Sequence, residues 1–80
     1  MPLCTEFSIY EDATFSDGVI VAVYDDKVLK YWYANNNEEQ ILLVAKLLLA
    51  APSAGWLATQ VSLGKHITTY TIHSHPEYFL

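Results

Sequence analysis

Arginine is missing from this sequence of 80 residues, and cysteine occurs once, as Cys4. Phosphate recognition depends on arginine forks and clustered positive charge. Here four lysines against nine acidic residues give a net charge of −5. We therefore expect no direct binding to nucleic acid. A single cysteine excludes a disulfide within the chain, which is typical of a protein that works in a reducing compartment.

Long apolar stretches are also missing. A helix that crosses a bilayer needs about 20 residues, nearly twice the length of the most apolar segment, residues 41–51. No basic residue precedes an apolar run near the N-terminus. We therefore predict neither a secretory signal nor contact with a membrane, and we expect a cytoplasmic protein.

The sequence has no recognisable catalytic or cofactor-binding motif. Its three glycines stand far apart, so no glycine-rich phosphate loop is predicted. No serine has the sequence context of a known nucleophile. We expect no cofactor, and we expect that the protein is not an enzyme.

What the chain does contain is apolar material, with 52% hydrophobic and 14% aromatic residues. That is more than a disordered chain carries. No repeat, low-complexity stretch or linker divides it, so we interpret residues 1–80 as a single domain. A domain of this size has a small core and marginal stability, so additional burial against a partner would matter.

Residues 35–55 are the one segment that predicts a long helix. Asn37 can cap it, and the two glutamates that follow lie where the helix dipole favours negative charge. Every residue of 41–51 except Lys46 is apolar, and Pro52 interrupts the pattern soon afterwards.

Alternating and β-branched patterns predict strands on both sides of this helix. The predicted strands are residues 4–10, 19–24, 28–33, 56–63 and 66–75. Asp25-Asp26 and Gly64-Lys65 are predicted as the two-residue turns of hairpins. The resulting fold class is α+β, a mainly antiparallel sheet of about five strands in the order β-β-β-α-β-β, with one helix packed on one face.

The first of these hairpins carries large apolar residues on both of its faces. With a turn at Asp25-Asp26, Val21 is predicted to lie opposite Lys30, and Ile20 opposite Tyr31. Only Lys30 indicates partial exposure. A single helix covers one sheet face, so the other face of the hairpin should remain apolar and uncovered.

The predicted helix has the same excess of apolar residues. At 3.6 residues per turn, its core side holds Ile41, Val44, Ala45, Leu48 and Ala51, with Leu47 flanking it. The opposite side is centred on Lys46 and still carries three leucines. We therefore predict an interface made of Leu42, Leu43, Lys46 and Leu49 from the helix and Tyr31 and Tyr33 from the sheet.

These features favour a small, acidic, non-enzymatic protein–protein interaction module. We expect it to self-associate, as a homodimer or another homo-oligomer, or to bind another protein as an adaptor, inhibitor or regulatory subunit. A second interpretation stays open. The first strand, the loop around Phe15 and the C-terminal residues 78–80 could cover the surplus within one chain.

His73 and His75 suggest an alternative function. Two residues apart on a strand, they would share a face about 6.8 Å apart and could approach one metal ion. A third ligand is not evident, because Glu77 lies beyond Pro76. In this alternative the chain is a metal- or small-ligand-binding domain that uses the His73/His75 strand face together with Trp56.

Overall fold

The computed structural model describes residues 4–25, 28–50 and 63–79. Its elements, in chain order, are strands β1 (Glu6–Asp12), β2 (Gly18–Asp25) and β3 (Val28–Asn35), helix α1 (Glu38–Ala50), strand β4 (Leu63–Thr71) and a short 3₁₀ helix, Pro76–Phe79, here called the tail. Within these ranges no helix is long and apolar enough to cross a membrane.

The strands form one antiparallel sheet in the order β3-β2-β1-β4. The α+β class and the placement of the helix after the third strand are confirmed. The prediction of about five strands is wrong, because the described chain has four, in the order β-β-β-α-β. The predicted strand 56–63 lies outside the described residues, apart from Leu63, where β4 begins.

Gly64-Lys65 is not a hairpin turn, because both residues lie inside β4, which pairs with β1. The glycine serves a different purpose. A Cβ atom at Gly64 would lie 2.7 Å from the Glu11 carbonyl oxygen, closer than real contacts allow. Glycine is therefore required there by the close approach of the neighbouring backbone.

The β2–β3 hairpin has the predicted faces but a different register. The ladder extends to Asp25 opposite Val28, so Asp25 belongs to the strand and not to the predicted turn, and Val21 lies opposite Trp32 rather than Lys30. Asp26 lies outside the described residues. Each predicted pair is displaced by two residues. Because side chains alternate with a period of two, such a displacement leaves every residue on its predicted face.

The helix begins as the sequence predicts. The Gln40 backbone N–H donates to the Asn37 side-chain oxygen over 2.9 Å, which confirms Asn37 as the N-cap. The helix packs on β2 and β3. Its buried residues, Val44, Ala45 and Leu48, all belong to the predicted core side.

One face of the sheet has two covers. The helix lies over β2 and β3, while the tail folds back over β1 and β4. The Phe79 ring lies 5.6 Å from that of Phe7, and the Tyr78 ring 5.4 Å from that of Tyr70. The covered core consists of buried apolar residues from both halves: Phe7, Ile9, Val19, Val21, Val23, Ala34, Val44, Ala45 and Leu48.

The partial exposure predicted at Lys30 is wrong, because this residue is only 1% exposed. Its Nζ donates to the carbonyl oxygen of Leu48, near the C-terminal end of the helix. The last turn of α1 has no basic residue of its own. A strand residue thus supplies the positive charge that the helix dipole favours at that end.

Candidate functional site

The structure separates the four predicted interface residues of the helix into two pairs. Leu43, 54% exposed, and Lys46 point away from the core. Leu42 and Leu49 are half-buried and pack against the core. The tail lies beside this flank of the helix, where Lys46, Leu49, Tyr78 and Phe79 line one groove. Burial on that flank extends the covered arc of the helix beyond the predicted core side.

Leu47 is more exposed than the sequence predicts. It was predicted to flank the core side of the helix, yet it is 64% exposed. It lies one turn after Leu43 on the same helix face. Because the tail covers the other flank, α1 shows two large apolar side chains on one exposed stripe.

This stripe lies on the β3 side of the helix. Gln40, which precedes Leu43 by three residues and Leu47 by seven, lines a cleft together with Ala34 and Asn35 of β3. Trp32 of β3 is on the helix side of the sheet, opposite buried Val21, and is 61% exposed. We call Leu43, Leu47 and Trp32 the helix-edge surface.

The two predicted sheet residues, Tyr31 and Tyr33, lie on the reverse face, together with buried Ile20 and Ala22. Their rings meet edge-on with centroids 6.1 Å apart. Tyr33 is 52% exposed, whereas Tyr31 is half-buried. The six predicted interface residues therefore lie on two sides of the sheet and do not form one continuous surface.

The His73/His75 strand face does not exist, because β4 ends at Thr71. A turn follows at once, in which the His75 N–H donates to the Thr71 carbonyl oxygen over 2.9 Å and the Ser74 N–H donates to the Thr71 hydroxyl over 3.2 Å. The two histidines thus follow the strand instead of alternating along it, and His73 is exposed.

His75 is engaged within its own segment. Its ring stacks on Tyr78 at 4.9 Å, and its Nδ1 lies 3.3 Å from Glu77 Oε1. In the described part of the chain, no three histidine, cysteine or acidic side chains come together as metal ligands could. Trp56, the third residue of the alternative, lies outside the described residues.

The sequence did not indicate a cleft of about 610 Å³ at the end of the sheet. It lies between the β1–β2 connection, the end of β3 and the first turn of α1. Its lining consists of Asp12, Thr14, Phe15, Asp17, Gly18, Tyr33, Ala34, Asn35 and Gln40. We call it the acidic cleft, because it contains two aspartates and no basic residue. Asp-x-Thr followed by Asp-Gly predicts turns locally, but nothing in it predicts that β3 and the helix close the other sides.

Asp12 is held in place within the acidic cleft. Its Oδ1 accepts from the Thr14 backbone N–H over 2.9 Å and from the Thr14 hydroxyl over 2.7 Å. These bonds, the backbone bond first, lower the pKa of Asp12 below its ordinary value of 3.8, although desolvation opposes them. The carboxylate is therefore ionised at neutral pH.

Phe15 contributes differently from what the sequence suggests. It was a candidate to cover the core, but it is 72% exposed at the mouth of the acidic cleft. Two backbone bonds shape its loop, from Phe15 N–H to the Asp12 carbonyl oxygen and from Gly18 N–H to the Phe15 carbonyl oxygen, each 3.3 Å long. An exposed aromatic ring thus stands beside the ionised Asp12.

Comparison of the chain with known protein families, with curated proteins and with solved structures finds no match.

Proposed function

We propose that this protein is a non-enzymatic interaction module that self-associates through the outer side of α1 and the helix-edge surface. The observation that carries the proposal is the exposure of Leu43 and Leu47 on one stripe of the helix. Contiguous exposed apolar patches of several hundred Å² usually mark an interaction site. Trp32 is exposed on the helix side of the sheet, on β3, against which the helix packs. Burial returns about 25 cal/mol for each Å² of apolar surface, which matters for a small domain.

A second copy of the chain suits this surface because of its charges. Glu39 and Lys46 are both exposed on the outer side of the helix. When two such helices pair antiparallel about a two-fold axis near residues 42 and 43, Glu39 of each copy reaches the level of Lys46 of the other. Both ion pairs then flank the two Leu43 side chains at the axis, as a self-complementary interface requires.

Sedimentation velocity across a range of micromolar concentrations tests the proposal. We expect the unmodified protein to shift towards a dimer as concentration rises, and Leu43→Glu and Leu47→Glu to remain monomeric. Ile67→Glu is the matched control, since it introduces the same charge at an exposed apolar residue of β4, the opposite edge of the sheet. A monomer at every concentration, or equal loss of dimer in the Ile67 variant, would contradict the proposal.

Charge reversal tests the antiparallel arrangement separately. Lys46→Glu alone should weaken the dimer, because it places two acidic residues at the same level. The double variant Glu39→Lys/Lys46→Glu should restore most of the affinity, since the pairs are re-formed with opposite polarity. If the double variant is no better than the single one, the helices do not pair in this way.

A further inference from the structure

The acidic cleft is a second candidate site, remote in chemistry from the leucines of the helix-edge surface. Its volume of about 610 Å³ lies within the range of about 300–1,000 Å³ that small-molecule and side-chain pockets occupy. Its lining combines carboxylates, the side-chain amides of Asn35 and Gln40, and the aromatic residues Phe15 and Tyr33. This combination favours a positively charged, planar ligand.

The positions of the polar atoms are consistent with such a ligand. Both donors from Thr14 reach Oδ1 of Asp12. The Phe15 backbone also hydrogen-bonds to the carboxylate. Hydrogen bonds already fix this carboxylate, so its side chain loses little further conformational entropy when an oxygen accepts from a ligand. Asp17 lies across the loop in the same lining and adds a second negative charge.

The aromatic residues distinguish between cations. A guanidinium group stacks flat on an aromatic ring and donates two parallel bonds to a carboxylate, whereas an ammonium group is a compact, strongly hydrated charge. Phe15 is 72% exposed and Tyr33 52% exposed, so both rings are accessible at the cleft. The cleft therefore suits an arginine side chain better than a lysine side chain.

We propose that the acidic cleft binds the guanidinium group of an arginine side chain presented by a partner protein. The chain contains no arginine, so a second copy cannot supply this group. The partner at this site is therefore a different protein, and this inference extends beyond the self-association proposed above. It does not depend on that self-association.

Titration with Nα-acetyl-arginine amide, followed by ¹H–¹⁵N NMR, tests the inference directly. We expect saturable shifts of the amide signals of the cleft residues, and weaker binding of Nα-acetyl-lysine amide. Asp17→Asn should weaken arginine binding about three- to tenfold, as expected for loss of a charge-assisted hydrogen bond. Phe15→Ala should reduce the preference for arginine over lysine. Asp12→Asn retains an oxygen for the Thr14 donors, so it removes the charge with little change of the turn.

Glu6→Gln is the matched control, because it removes the same charge from an exposed position near the far end of β1. It should leave binding unchanged. Shifts that do not saturate, or an equal effect of Glu6→Gln and Asp17→Asn, would show a response to net charge only and would overturn the proposal. Binding should also persist in Leu43→Glu. If Leu43→Glu abolished arginine binding, the proposal that the cleft acts independently of self-association would be wrong. If the protein simply does not self-associate, the arginine titration should be unaffected.

Discussion

The two halves of the covered sheet face are built from different chemistry. Under the helix, the core is aliphatic, with Val21, Val23 and Leu48 among its buried residues. Under the tail, it is aromatic and has polar tips, since Phe7, Tyr70, His75, Tyr78 and Phe79 form one series of ring contacts. The helix half is also buried more completely than the tail half, whose tail residues are at most half-buried.

The strand ladders beneath the two halves differ in the same sense. The β2–β3 ladder is continuous over eight pairs. The β1–β4 ladder has two register shifts, on either side of Tyr10, and one of them leaves Ile67 as an extra residue. Hairpin neighbours can keep a regular ladder, whereas the distant strand β4 is fitted to β1 with bulges and a glycine. We infer that the helix half contributes most of the stability and that the tail half is the more adjustable part.

The largest expected effect tests the helix half. Leu48→Ala should lower the free energy of unfolding by about 2–5 kcal/mol, because Leu48 is 3% exposed and its loss leaves a cavity in the core. The matched variant Leu43→Ala, on the exposed stripe, should change it by less than about 0.5 kcal/mol. Urea unfolding at a protein concentration where the chain is monomeric measures both values. Equal losses would mean that both sides of α1 are buried within one copy.

A smaller effect is expected from the β1–β4 ladder. Gly64→Ala should cost about 1–3 kcal/mol, because the added Cβ would lie 2.7 Å from a backbone oxygen of Glu11. Gly18→Ala is the control, since its nearest atoms are 3.5 Å away and make ordinary contacts. Thermal unfolding compares the two. If Gly64→Ala costs no more stability than Gly18→Ala, β4 can shift or bulge to accept the added Cβ atom, and the tail half is more adjustable than its ladder indicates.

The smallest effect concerns the attachment of the tail to the helix. The Tyr78 hydroxyl donates to Glu38 Oε1 over 3.2 Å. Desolvation first, and then this bond, raise the pKa of Tyr78 above its ordinary value of 10.0. A raised pKa means that the stabilisation is complete below pH 10.0 and is lost as the pH rises through the value in the folded state. Between pH 9 and pH 11, the free energy of unfolding should therefore fall more steeply for the unmodified protein than for Tyr78→Phe. Parallel curves would show that the bond contributes nothing.

Several features were predictable from the residues because they are local. Asn37 caps the helix through its own first turn, and the buried residues of α1 follow from helical spacing. In the β2–β3 hairpin the predicted register was wrong by two residues. Each residue still lies on its predicted face, because side chains alternate between the faces with a period of two. Asp12 accepts from Thr14, two residues further on, as an aspartate in a turn commonly does.

The candidate sites were less predictable, because they depend on neighbours that are distant in sequence. Leu49 is half-buried because the tail lies beside it, and Leu47 is exposed because the tail lies on the other flank. No helical period contains that information. The acidic cleft likewise requires the end of β3 and the start of α1 to meet the β1–β2 loop.

Short-range geometry controls the capped helix, its buried side and the alternation of residues between the sheet faces, so the residues alone were enough to predict them. The pairing of β4 with β1, the close contact at Gly64, the covering tail and the reach of Lys30 to the end of the helix all depend on the three-dimensional fold. The two groups differ in the distance along the chain over which their interactions act. Hydrogen bonds within a turn and side-chain periodicity act over a few residues. Strand pairing and ring packing join residues as far apart in sequence as Phe7 and Phe79, and many alternative pairings satisfy the same local pattern.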